Sequence, residues 1–267
     1  MSNSSPSSPS HNRRWTFILF LIAGAAFLLW LWFTPAGLLG KADGVGYAVC
    51  HRIDARSFQM DGRASPLCAR CSGMYLGALL GLIFQARQGR RMGMPSRKLT
   101  LLAVFFVLAF AVDGGNSYLH FFPNITGLYP PSNELRLITG TGMGLALSWF
   151  VLPAFNQTVW RDWDERPSLA GGRSLVTLLA LAAALDLLVW SENPVVLYPL
   201  ALLSAFGVMT LLSMAYTMVW VMITRRENSF THLLGLLPAL TAGFLTALAQ
   251  ISLFDALRYL LTHTWMG

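Results

Sequence analysis

Long uncharged apolar runs separated by short polar breaks dominate the chain, and they set its architecture. Residues 15–33 carry no charged side chain, and further apolar runs occupy 71–85, 99–116, 135–155, 175–190, 195–223 and 232–253. A helix crosses a bilayer with about 20 residues. In lipid only helices and closed barrels satisfy every backbone N–H and C=O internally. The pattern therefore predicts an all-α fold, a polytopic transmembrane helical bundle of about seven spans. The second run is the shortest, and the sixth is long enough to tilt or to extend beyond the membrane.

The first run has the basic flank of a signal sequence, Arg13 and Arg14. Its apolar stretch is too long for a signal-peptide core and no small-x-small cleavage site follows, so it reads as a retained signal anchor. Residues 1–14, rich in Ser, Pro and Asn over the first ten, cannot bury an apolar face and are expected to form a disordered cytoplasmic tail. Small residues four apart, Gly73, Gly77 and Gly81 in the second span and Gly140 and Gly144 in the fourth, form smooth ridges that let helix backbones approach closely. They predict tight packing and carry no functional specificity.

Charge placement orients the bundle. With seven spans, twelve basic residues share one side: Arg13, Arg14, five in the 87–98 loop, Arg161, Arg166, Arg173, Arg225 and Arg226. Seven lie on the other: Lys41, Arg52, Arg56, Arg63, Arg70, Arg136 and Arg258. The richer side is expected to be cytoplasmic, which makes this a cell (inner) membrane protein with its N-terminus inside. The polar stretch 40–71 is then external, or periplasmic. It holds five of the basic residues, which reconciles with the rule if they are site residues partly balanced by Asp43, Asp54 and Asp61. Composition agrees: 55% of residues are hydrophobic and 12% charged, far from a soluble domain. The net charge of +7 reflects the cytoplasmic loops, so nucleic-acid binding is not indicated. There is no phosphate-cradling Gly loop, serine nucleophile elbow or nucleotide fingerprint.

All three cysteines lie in the one polar stretch: Cys50-His51, then Arg56-Ser57-Phe58, then Pro66-Leu67-Cys68-Ala69-Arg70-Cys71-Ser72-Gly73. This run, with Gly62, Tyr75 and Gly77, resembles the signature of a prokaryotic family of predicted multi-pass membrane proteins that carries a domain-of-unknown-function label. Asp113-Gly114 at the end of the third span resembles it too. So do Ser132-Asn133, Leu135-Arg136 and Thr139-Gly140 at the start of the fourth. The resemblance covers about residues 47–144. It implies a membrane location and a shared motif but no activity. It divides the chain into a family-like core over 15–155, with the external loop at 40–71, and an additional three-span region over 156–267.

Alternation of the spans brings Cys71, Asp113, Asn116, Asn133 and Arg136 to one depth near the outer surface. Charged groups at helix ends in lipid are costly unless paired and often mark a working site. Asp113 with Arg136 is the expected ion pair, either a clamp between two helices or part of a catalytic group. Asp186, one turn from the outer end of the fifth span, either joins this cluster or reaches the interface.

Three readings of the cysteines stay open. The first is a metal: Cys50, His51, Cys68 and Cys71 form a Cys₃His set suited to zinc. Adjacent side chains usually diverge, so ligation by both Cys50 and His51 requires a bent backbone. Three thiolates with an open position and His51 as a nearby base is the variant. The second is thiol redox, since a Cys-x-x-Cys at a helix N-terminus favours thiolate and Cys50 offers an exchange partner. The third is a structural staple, a disulfide or zinc clasp. Haem attachment is not indicated, because Ser72, not His, follows Cys71. Arg56, Arg70 and Arg136 suit a phosphate or carboxylate, hence an anionic membrane lipid, unless they satisfy loop carbonyls and aspartates.

Two functional classes follow. One is a metal-dependent or thiol-redox enzyme acting on an anionic lipid or quinone-like substrate, with His51, Arg56, Arg70, Asp113 and Arg136 as candidate catalytic residues. The other is a non-enzymatic transporter or assembly factor in which the motif is a clasp. Transporters place polar groups deep in several spans, often in repeats with broken helices. This chain has few such groups and no repeat, which favours a surface site.

Overall fold

The computed structural model describes residues 9–122, 127–169 and 171–265. It is all-α, with eight α-helices among the described residues: α1 (Pro9–Phe33), α2 (Gly37–Val49), α3 (Ala69–Ala86), α4 (Arg97–Leu119), α5 (Asn133–Val159), α6 (Gly172–Trp190), α7 (Pro194–Ile223) and α8 (Leu233–Thr262). Six of them, α1 and α4 to α8, are long and apolar enough to cross a membrane. The helix α3 completes a seventh crossing, as its packing shows.

The ridge of small residues on α3 lies directly against α5. A Cβ added to Gly77 would sit 2.5 Å from the Thr141 carbonyl oxygen, and one added to Gly144 would meet the backbone of Met74 and Ala78. Successive contacts, Gly73 with Leu137, Gly77 with Thr141 and Gly81 with Ser148, climb both helices in the same direction. The two helices are therefore parallel, and α4 between them in sequence runs back across the same thickness. The core of this pair includes Leu137, Leu145 and Trp149, all buried. The buried Gln85 is satisfied there: its Nε2 donates to the Gly81 carbonyl (2.9 Å) and Ser148 Oγ (3.2 Å), while Ser168 Oγ donates to its Oε1 (2.7 Å).

The alternation places every helix end on one of two faces. The cysteine end gathers the C-termini of α1, α4, α6 and α8 and the N-termini of α3, α5 and α7. Two strands, β1 (Gln59–Met60) and β2 (Arg63–Ala64), form a hairpin there. Asp61 and Gly62 form its two-residue loop with φ of 49° and 80°, the paired positive values that an Asp-Gly turn supplies at low cost. At the opposite end, β3 (Arg91–Gly93) pairs in parallel with β4 (Asp164–Pro167).

Three expectations need revision. The polar stretch 40–71 is not loop throughout, because α2 occupies its first third; at 13 residues it is about 20 Å long, too short to cross. The tail read as disordered over 1–14 lies outside the described residues through position 8, while α1 begins at Pro9. The last span continues past residue 253 to Thr262, and that extension reaches the cysteine motif.

Candidate functional site

The three cysteines converge from two directions. Cys50 is the C-cap of α2 and its backbone is extended, with φ −133° and ψ 149°. Cys68 is the N-cap of α3, so Cys71 falls in the helix's first turn, where the unpaired N–H groups and the helix dipole favour an anionic sulfur. Cys50, Cys68 and Cys71 are free thiols, and their three sulfurs lie within 4.8 Å of one another. The Cys68 backbone N–H donates to Cys50 Sγ at 3.4 Å. Cys50 and Cys68 are buried, and Cys71 is half-buried.

His51 approaches the cluster from its exposed side, with Nδ1 3.5 Å from Cys50 Sγ. Metal–sulfur and metal–nitrogen bonds of about 2.3 and 2.0 Å set tetrahedral sulfur and nitrogen ligands roughly 3.5 Å apart. The adjacent pair has that spacing, although the ligand atoms that lie within 4.8 Å of one another are the three sulfurs without His51. The bend falls at Arg52, whose φ of 53° is left-handed and costs a non-glycine residue about 1 kcal/mol. Arg52 is held there by an ion pair with Asp43 at 2.8 Å and by donation to the Trp265 carbonyl at 2.9 Å. The Cys50 thiol is held well below the usual cysteine range, chiefly because the Cys68 and then the Cys71 thiols hydrogen-bond to it. His51 is raised to about 9 by its hydrogen bonds with Cys50 and Cys68.

A second group lies beside the first. Arg70 pairs with Asp113: Nε donates to Oδ2 at 3.0 Å, Nη2 donates to the same oxygen, and Nη2 also reaches Ser117 Oγ at 2.9 Å. This corrects the expected Asp113–Arg136 ion pair. Arg70 points from the first turn of α3 straight at the end of α4, whereas Arg136 gives its Nη1 to Asn133 Oδ1 at 2.8 Å. Tyr129 closes the other side of Asp113, its hydroxyl donating to Oδ1 at 3.1 Å. Arg56 donates from Nη2 to the Ser117 carbonyl at 3.1 Å and lies 4.0 Å over the Phe121 ring. Its guanidinium is pushed below its ordinary range by burial and by the charge of Arg70.

Of the expected residues, Cys50, Cys68 and Cys71 thus form one cluster with His51 at its edge. Arg56, Arg70, Asp113 and Arg136 form the adjoining one. Asn116, about one turn nearer the end of α4 than Asp113, pins the chain before α5, accepting from Leu128 N at 2.6 Å and donating to the Tyr129 carbonyl at 2.9 Å. Asp186 does not join them; it accepts a hydrogen bond from Thr141 Oγ1 at 2.6 Å. Several participants carry no local sequence signal. Arg258 of α8 donates to the carbonyls of Tyr47 (2.9 Å), Cys50 (2.6 Å) and His51 (3.1 Å) and lies 4.3 Å over the Tyr47 ring. The Tyr47 hydroxyl reaches the Thr264 carbonyl at 2.7 Å. The distal helix thereby clamps the cysteine loop, and a lone arginine near the end of an apolar run was its only trace in the sequence.

Comparison with known proteins adds a family. Residues 50–150, which contain both clusters but not Arg258, match a family described as "Predicted membrane protein (DUF2085)". An uncharacterized protein of Methanocaldococcus jannaschii is 30% identical over 117 residues, covering 43% of this chain and 69% of the relative. An uncharacterized protein of Methanothermobacter thermautotrophicus is 32% identical over 106 residues, covering 39% of this chain and 86% of the relative. No solved structure matches the chain.

Proposed function

The chain belongs to the family described as Predicted membrane protein (DUF2085), and from that premise we propose that its cysteine end is a thiolate metal centre at the outer membrane surface. The single observation that carries this reading is the convergence of three free sulfurs within 4.8 Å. Thiolates with an imidazole select zinc among common ions. Cys50, Cys68 and Cys71 hold the ion, and His51 supplies the fourth ligand or stands beside an exchangeable position. A bound zinc ion acts as a Lewis acid toward an oxygen ligand. In this reading the protein is a metal-dependent enzyme whose arginines orient an anionic lipid. The core over 15–155 holds the site, and the three-span region over 156–267 braces it through Arg258.

A non-enzymatic clasp, in a transporter or an assembly factor, is the second reading. It is favoured by the burial of Cys50 and Cys68 and by the Cys68 N–H bond to Cys50, which tie the end of α2 to the start of α3. Elemental analysis with thiol counting, on protein purified in detergent without reductant, tests the metal. One equivalent of zinc with no disulfide is expected. A Cys68–Cys71 disulfide without metal would overturn the metal reading and leave thiol redox with a quinone-like partner or a structural disulfide clasp.

A further inference from the structure

Three guanidiniums meet where α3, α4 and α5 come together at the cysteine end, and one carboxylate serves them. Asp113 is 1% exposed. Its Oδ2 is taken by Arg70 and its Oδ1 by Tyr129. Among the described residues neither Arg56 nor Arg136 forms an ion pair. Arg136 is 6% exposed, and among the described residues its Nε has no hydrogen-bond partner. A buried cation is costly unless it is paired. The charges that act on Arg136 are the Arg56 and Arg70 guanidiniums, the Asp113 carboxylate and the Cys68 sulfur.

Neutral groups hold this arrangement in place. The Ser117 carbonyl accepts from Arg56 and the Ser117 hydroxyl from Arg70. Asn133 accepts from Arg136 and donates to the Ala55 carbonyl at 3.3 Å, next to Arg56. Such bonds fix the position of the forks without neutralising them. Three positive groups face one carboxylate and the Cys68 sulfur, so the guanidiniums outnumber the anionic groups. Exposed Tyr118, Phe121 and Phe122 stand beside Arg56, the amphipathic and aromatic rim found at membrane interfaces.

We propose that Arg56 and Arg136 bind a phosphate group, with Arg70, locked to Asp113, as a positioning residue. Guanidinium forks pair bidentately with phosphate. Two forks arriving from different elements suit a tetrahedral oxyanion better than a flat carboxylate, and the excess charge excludes an uncharged quinone head. This inference rests on the reading of the cysteine end as a ligand site, but not on the presence of the metal. It narrows the ligand to a phosphate monoester, either a lipid headgroup or a water-soluble phosphate.

The test uses the full chain. Inorganic phosphate is titrated calorimetrically into detergent-purified protein, and phosphatidic acid binding is measured in nanodiscs against a phosphatidylcholine background. At least one probe binds, and Arg136→Gln and Arg56→Gln each weaken it about tenfold or more, the scale of one charge-assisted contact. Arg136→Lys, which keeps the charge, loses less. Zinc content stays at the parental value. Binding of phosphatidic acid alone identifies a lipid headgroup, and binding of free phosphate without lipid preference identifies a soluble ligand. Because Arg136 is buried, Arg56→Gln on the half-exposed loop decides the matter if the first variant fails to fold. Equal affinity in parent and both Gln variants, or no binding of either probe, overturns the proposal. Phosphate binding retained in a zinc-free Cys68→Ser variant would show that this site works without the metal, and phosphate binding by a parent protein that holds no zinc would remove the metal reading and leave this one standing.

Discussion

Arg258 is the residue on which the cysteine loop leans. Its guanidinium gives hydrogen bonds to the Tyr47, Cys50 and His51 carbonyls, so it fixes the backbone from which Cys50 and His51 project. Partners that orient metal ligands without touching the ion typically contribute 10–100-fold in affinity. Arg258→Ala is therefore expected to weaken zinc binding about tenfold in a chelator competition, with Arg258→Lys intermediate. Unchanged affinity would show that the loop holds itself. At this scale the sequence was informative where chemistry is local and silent where it is not. Cys68 and Cys71 are three apart at the start of a helix, so their convergence was readable. Which arginine takes Asp113 depends on the rotation of α3 about its axis, which apolar patterning does not encode for a helix buried on most sides. The Tyr47 and Arg258 contact spans more than 200 residues and had no signal beyond a charge near a helix end.

The elements that aim these residues are α3 and α5. Their parallel contact has no room for a side chain at Gly77, where a Cβ would stand 2.5 Å from the Thr141 carbonyl oxygen, an atom of the backbone that cannot move aside. Gly77→Ala is expected to destabilise the protein by about 3 kcal/mol, the upper range for overpacking a close-packed core. The effect is read as a drop in thermal midpoint together with loss of bound zinc. Gly115→Ala on α4 meets nothing within 4 Å and serves as the control, neutral or slightly stabilising because alanine is the better helix former. An equal response from both would mean that the α3–α5 contact is looser than described. The Gly-x-x-x-Gly stripes made this pairing legible in kind but did not say that the two stripes face each other. The helix α2 escaped notice because Gly37, Gly40, Gly44 and Gly46 within 13 residues read as loop. They form a helix because tertiary packing, with Ala42, Val45 and Tyr47 buried, overrides weak propensity.

Seven crossings put both clusters on one face of the molecule, opposite the richer set of basic loops. By the positive-inside rule we propose that this face is external. A phosphatase reporter fused after Glu192, between α6 and α7, is expected to be active and one fused after Arg226 inactive. The reverse pattern would turn the site toward the cytoplasm. The span pattern was legible from the uncharged runs alone, since runs of this length without the alternation of barrel strands satisfy their backbones in lipid as helices. That the distal three-span region closes over the cysteine loop was not, because its role lies in a few contacts at the very end of α8. The central claim, a thiolate metal centre at this face, is tested most directly by X-ray absorption at the metal edge on the purified full chain. Three sulfurs at about 2.3 Å and one nitrogen or oxygen at about 2.0 Å are expected. A shell of light atoms alone, or protein without stoichiometric metal, would contradict it.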